Sequence, residues 1–178
     1  VTKLVPDKKT KEIQHLTYLD VRMLDTPSLG MVQSRKQITF MAESVEMMMD
    51  NLKLCLQDGN SSEDRVRKIF HREQILDNVQ KEIFLYLSKV VAGQVPHDVT
   101  TEAHMQMRLA DEYESLSDYV ANVLKGHKKL QNHDMALDEA ARKRLLGLHD
   151  RVADYIRMVS AYVADESVDV LLEAESEG

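Results

Sequence analysis

The sequence predicts an all-α protein, an antiparallel bundle of long helices, and three observations support this prediction. Helix-forming residues are abundant, whereas the chain has only six Gly, three Pro and no Trp. Apolar residues recur at steps of three and four along four long segments, as on the buried face of a helix. The connections between these segments are short, which places consecutive helices antiparallel and side by side. With 43% hydrophobic and 30% charged residues among 178, the chain has the composition of a globular protein.

The first helix is predicted to begin at Thr26-Pro27. Thr26 can accept a hydrogen bond as the N-cap, and Pro27 suits the first helical position because its missing N–H is not needed there. Gly59 can adopt positive φ, so we expect the helix to end near residues 58–60. Its predicted core stripe contains Ile38, Met41, Val45, Met48, Leu52 and Cys55.

Ser61 and Asp64 resemble a capping box and predict the start of the second helix, which we expect to stop at Gly93. Asp98 is predicted to cap the third helix and Asp134 the fourth. The predicted stripe of the second helix is Val66, Ile69, Leu76, Val79, Ile83, Leu87 and Val90. That of the third is Ala103, Ala110, Tyr113, Leu116, Val120 and Leu124, and that of the fourth is Leu145, Leu148, Val152, Tyr155, Val159 and Tyr162.

The chain divides into three predicted parts: a basic linker over 1–25, a three-helix unit over 26–130 and a fourth long helix over 131–178. When the chain is aligned with itself so that Val45 meets Val152, the stripe of the first helix falls onto that of the fourth. We therefore expect the fourth helix to open an incomplete second repeat. The chain begins with Val, and we expect it to be part of a longer protein.

The net charge of −7 argues against a nucleic-acid partner, which would require a basic surface. No phosphate-binding glycine loop, HExxH, paired cysteine or nucleophile elbow occurs, so we predict no enzyme, no catalytic residues and no small-molecule substrate. No apolar run reaches the roughly 20 residues that span a bilayer. The single Cys55 excludes an intramolecular disulfide and is typical of a reducing compartment.

Acidic residues four apart form four pairs that are candidate metal ligands. Two carboxylates at i and i+4 share one helix face and repel each other unless a cation binds between them. Most such pairs in an acidic protein are simply solvated, and spacing alone leaves that alternative open. The pairs are Glu46–Asp50, Glu73–Asp77, Glu114–Asp118 and Asp150–Asp154.

Residues 18–49 begin YLDVRMLDTPSLG and resemble the segment that opens the cytoplasmic PhoU-like region of bacterial sodium-dependent phosphate cotransporters. Residues 72–90 are similar to the second helix of such domains. YESLSDYVANV at 113–123 resembles the third-helix motif, in which a Glu and an Asp four apart precede an Asn. The chain departs from that motif at Ser115 and Tyr119, where PhoU proteins usually have Arg and His.

The resemblance implies a regulatory or accessory domain at the cytoplasmic face of the inner membrane, attached to the transmembrane transport domain of the same polypeptide. It also implies a divalent or iron-type metal ion on two acidic pairs, Glu73 with Asp77 and Glu114 with Asp118. Because the fourth helix lacks repeat partners, we expect a homo-oligomer. Two alternatives remain open: a free-standing metal-binding PhoU-type regulator and a purely structural oligomerisation bundle.

Overall fold

The computed structural model describes residues 27–57, 62–133, 135 and 137–164. Within these ranges the chain forms four α-helices and no strand, which confirms the all-α prediction. The helices are long, with 31, 29, 36 and 26 residues. They are α1 (Pro27–Gln57), α2 (Glu63–Val91), α3 (His97–Asn132) and α4 (Glu139–Ala164).

Consecutive helices run antiparallel, as short connections require. Arg72 of α2 donates to the Ser44 hydroxyl of α1 at 3.1 Å, and Gln80 of α2 donates to Asp111 of α3 at 3.2 Å. The first three helices pack against one another as a unit, whereas α4 packs mainly on α1. The hydroxyls of Tyr113 and Ser160, 3.2 Å apart, add a contact between α3 and α4.

The predicted stripes of α1 and α2 form the core, and every one of their members is buried. On α3 the predicted stripe is also confirmed, except that Leu116 is only half-buried. The periodicity was sufficient here because each of these three helices contacts at least two others, so a wide apolar face is covered.

The predicted stripe of α4 is wrong as a description of the buried face. Leu148, Val152, Tyr155 and Tyr162 are exposed, and Leu145 and Val159 are half-buried. The buried face of α4 lies beside this stripe and consists of His149, Ala153, Ile156 and Ser160. Because α4 has one principal neighbour, only a narrow face is covered, and small side chains allow the close approach to α1.

The helix ends differ in part from the predictions. The residue that precedes α2 is Ser62, and Asp64 pairs instead with Arg67 and Lys68. Pro96 precedes α3, so Asp98 lies inside its first turn, and α2 ends at Val91, before Gly93. The backbone N–H of Ala141 donates to the Asp138 carboxylate, which caps α4. The remaining predicted end residues, Thr26, Gly59, Ser61 and Asp134, lie outside the described residues.

The four helices are amphipathic rather than apolar throughout. Over the part of the chain that the structure describes, none of them combines the length and the hydropathy that crossing a bilayer requires.

Candidate functional site: an acidic face on α2 and α3

The two predicted pairs lie on adjacent antiparallel helices, Glu73 and Asp77 on α2 and Glu114 and Asp118 on α3. The antiparallel register brings them close enough for their charges to interact across the two helices, Glu73 of α2 with Asp118 of α3 and Glu114 of α3 with Asp77 of α2. Asp111, one turn before Glu114, belongs to the same group. These five residues are called the acidic face below.

Two carboxyl groups of the acidic face have pKa values above the ordinary value for glutamate. Partial burial raises the pKa of Glu73, and the nearby charge of Asp118 raises it further. Partial burial also raises the pKa of Glu114, with smaller contributions from Asp118, Asp77, Asp111 and Glu73. Both groups are therefore harder to ionise than an ordinary glutamate, and a cation placed between them would relieve the repulsion.

Cations and amides of the protein already bind part of the acidic face. Lys81 Nζ lies 2.7 Å from Asp77 Oδ2, one turn away on α2. Gln80 donates to Asp111, and the positive charge of Lys125 lowers the pKa of Glu73. Lys125 itself lies 5.8 Å from the centre of the Phe70 ring, a cation–π contact that holds it at this end of the face.

The donors have the chemistry of a hard-cation site, since all are carboxylate oxygens. Their geometry is not that of an assembled metal centre: among the described residues, no three His, Cys, Asp or Glu side chains converge as a set of ligands. The Asp77 carboxylate is instead paired with Lys81 of its own helix. This pair is mostly exposed, and such pairs contribute at most about 1 kcal/mol, so a divalent cation could displace the lysine.

Three members of the other two acidic pairs, Asp50, Asp150 and Asp154, have a structural role. Asp50 and Asp154 both contact Arg157, at 2.9 and 3.0 Å, and Asp150 contacts Lys53 at 2.8 Å. The Asp50–Arg157 and Asp150–Lys53 pairs join α1 and α4 at the surface, whereas the Asp154–Arg157 pair lies within α4. Spacing within a helix could not separate Asp50 and Asp150 from the acidic face, because their cations come from a different helix.

Tyr119 is one of the two positions at which the chain departs from the third-helix motif. Its side chain is exposed and lines an apolar groove between α3 and α4, away from the acidic face. Asn122, which ends the motif, accepts a hydrogen bond from Lys125 at 3.3 Å. Glu114 and Asp118 of the motif therefore lie on the acidic side of α3, whereas Tyr119 lies on the side that borders the apolar groove.

Two residues of interest were missed at the sequence level. Asp111 precedes Glu114 by three residues and Asp118 by seven, and this helical spacing was a sufficient signal for its place on the acidic face. His149 is buried, and its Nε2 lies 2.9 Å from the Met49 carbonyl oxygen of α1. No local pattern marks His149, because its partner is a backbone atom 100 residues away.

The family model of the PhoU domain matches residues 38–126, half of the chain, and ends within α3. The matched segment contains most of α1, all of α2 and the whole acidic face. No curated protein and no solved structure matches the chain.

Proposed function

Because the chain belongs to the PhoU-domain family, which is regulatory rather than enzymatic and is associated with control of phosphate transport, we propose that it is the cytoplasmic regulatory domain of a sodium/phosphate cotransporter. It acts through protein contacts with the transmembrane transport domain of the same polypeptide, at the cytoplasmic face of the inner membrane. The observation that carries the proposal is the family match together with the Leu19-Asp20 to Thr26-Pro27 sequence that precedes it.

The proposed mechanism is a shift in the conformational equilibrium of the transporter. A bound domain can bias transport only if it binds one conformation of the transport domain more tightly than the other. The bundle is suited to this role because the apolar faces of α1, α2 and α3 are buried against one another in one core. The lysines of residues 1–25, which lie outside the described residues, support a position beside the anionic cytoplasmic leaflet.

The test is deletion of residues 26–178 from the full-length transporter, with phosphate uptake measured in cells grown at low and at high phosphate. We expect the transport domain to remain active and the dependence of uptake on external phosphate to change. Unchanged uptake and unchanged phosphate dependence would contradict the proposal. An immunoblot of cell fractions against residues 26–130 provides an independent check, since a membrane-bound band far heavier than 20.4 kDa is expected.

A metal-binding regulator is the second candidate, because the fold brings both predicted acidic pairs onto one face. The Glu73→Gln/Glu114→Gln variant removes two charges from this face and keeps the side-chain shapes. The matched control, Glu43→Gln/Glu112→Gln, removes two exposed charges outside it. Titrations with Mn²⁺ and with Fe²⁺ should show binding to the wild type and the control, and loss of binding in the acidic-face variant.

Lys81→Met provides a gain-of-function test of the same site. It frees Asp77 from its ion pair, so it should tighten cation binding several-fold. Binding that persists in the Glu73/Glu114 variant, or that Lys81→Met weakens, would exclude these ligands.

A further inference from the structure

The most unusual surface of the molecule is an apolar face on α4. It consists of the predicted stripe of that helix, with Leu148 58%, Tyr155 64% and Tyr162 68% exposed, together with Met158 on its edge. Beside it, a groove between α3 and α4 continues the apolar surface and is lined by Leu116, Tyr119, Val123, Leu148 and Val152. The stripe, Met158 and these groove residues are called the α3–α4 face below.

The alignment of α1 with α4 relates this face to one that is covered elsewhere in the molecule. Asp50 and Arg157 occupy equivalent positions in this alignment and form an ion pair, and Met49 and the equivalent Ile156 border the same groove. The helices α1 and α4 therefore meet around equivalent positions, as two copies of one helix would about a two-fold axis. On α1, the stripe equivalent to that of α4 is covered by the antiparallel pair α2 and α3.

A second copy of this chain presents the same α3–α4 face, with α3 and α4 on either side of the apolar groove. We propose that two copies associate through the α3–α4 face, with the α3–α4 layer of one stacked on that of the other to form a four-helix arrangement. A two-fold interface must be complementary to itself. The α4 stripe meets this condition when two copies lie antiparallel, because Leu145 and Leu148 then oppose Tyr162 and Val159.

The area of the face is large enough for a stable dimer. Tyr119, Tyr155 and Tyr162 are each about two thirds exposed. Since a full aromatic side chain presents roughly 150–250 Å², the three tyrosines alone contribute about 400 Å². A standard interface needs about 800 Å² on each partner, and Leu148, Val152 and Met158 supply much of the remainder. Monomeric proteins rarely expose an apolar patch of this size.

The test is sedimentation equilibrium of the 178-residue chain from low to high micromolar concentration. The wild type should approach twice the monomer mass of 20.4 kDa. Tyr155→Glu and Tyr162→Glu should each raise the dimer dissociation constant by at least about tenfold. Both side chains are exposed, so folding should be preserved. Leu85→Glu is the matched control, because Leu85 is 59% exposed on α2, outside the face, and this variant should dimerise as the wild type does.

Three outcomes would overturn the proposal. The first is a wild type that remains monomeric at high concentration. The second is a dimer that Leu85→Glu disrupts and Tyr155→Glu does not, because the interface would then lie on α2. The third is a monomer that binds phosphatidylglycerol vesicles and loses this binding in Tyr155→Glu, which would assign the face to a lipid surface instead.

Discussion

The helices α1 and α4 carry the same apolar pattern and are buried in different ways. Both have apolar residues at alternating steps of three and four, and the two stripes coincide when Val45 is aligned with Val152. On α1 this stripe is the centre of the core, whereas on α4 most of it faces outward and a narrower face with His149 and Ser160 packs on α1. A periodic pattern therefore predicts that a helix has an apolar face, but not which element covers that face.

Equivalent substitutions in the stripes of α1 and α4 should give the largest difference in the free energy of unfolding. Met41 is completely buried, and its equivalent on α4, Leu148, is exposed. We expect Met41→Ala to lower the free energy of unfolding by about 2–5 kcal/mol because it leaves a cavity. Leu148→Ala should lower it by no more than about 0.5 kcal/mol in dilute, monomeric protein. Urea denaturation at low micromolar concentration measures both, and equal losses would show that α4 is covered as α1 is.

The glycines of the two helices offer a second contrast. A Cβ added at Gly30 of α1 would lie 2.7 Å from the hydroxyl of the buried Tyr86, whereas one added at Gly147 of α4 meets nothing within 4 Å. Gly30→Ala should cost about 1–3 kcal/mol through overpacking, and Gly147→Ala should stabilise the helix by about 0.5–1 kcal/mol. Thermal unfolding monitored by circular dichroism gives both values. Partial recovery in Gly30→Ala/Tyr86→Phe would identify the hydroxyl as the clash.

A substitution at His149 tests how strongly the packing of α4 on α1 contributes to stability. It is 7% exposed, and its ring contacts the Met49 carbonyl through one nitrogen and Asp150 through the other. His149→Leu removes these hydrogen bonds and should lower the free energy of unfolding by about 1–2 kcal/mol. Hydrogen exchange should accelerate in α4 more than in α2, since α4 has one principal neighbour. Uniform acceleration in all four helices would instead show that α4 unfolds with the whole bundle.

A substitution on the acidic face should change the free energy of unfolding least. This face also contrasts with the acidic residues between α1 and α4, which are paired with cations. The folded-state pKa values of Glu73 and Glu114 are raised above the ordinary value of 4.5, so the folded chain holds protons that the unfolded chain has already released. Stability should therefore fall as the pH rises from 4.5 through the raised folded-state values. Asp118→Asn removes the largest charge contribution to both shifts, so it should weaken this dependence and stabilise the protein by about 0.5 kcal/mol at neutral pH.

Asp154→Asn is the control for that measurement, because Asp154 pairs with Arg157 and its loss should leave the pH dependence above 4.5 unchanged. Urea denaturation across a series of pH values distinguishes the two variants. A pH dependence that is the same in the wild type and in Asp118→Asn would contradict the repulsion on the acidic face.

The sequence by itself determined the fold class, the number of helices and the cores of α1, α2 and α3, because helix propensity and apolar periodicity act within one segment. It also identified Glu73, Asp77, Glu114 and Asp118, since residues four apart share a helix face whatever the rest of the chain does. Only the tertiary structure decided that these two pairs lie together while Asp50 and Asp150 are neutralised, because the neutralising cations of those two residues belong to other helices. It likewise decided that the α4 stripe faces outward, since the burial of a helix face depends on how many neighbours that helix has.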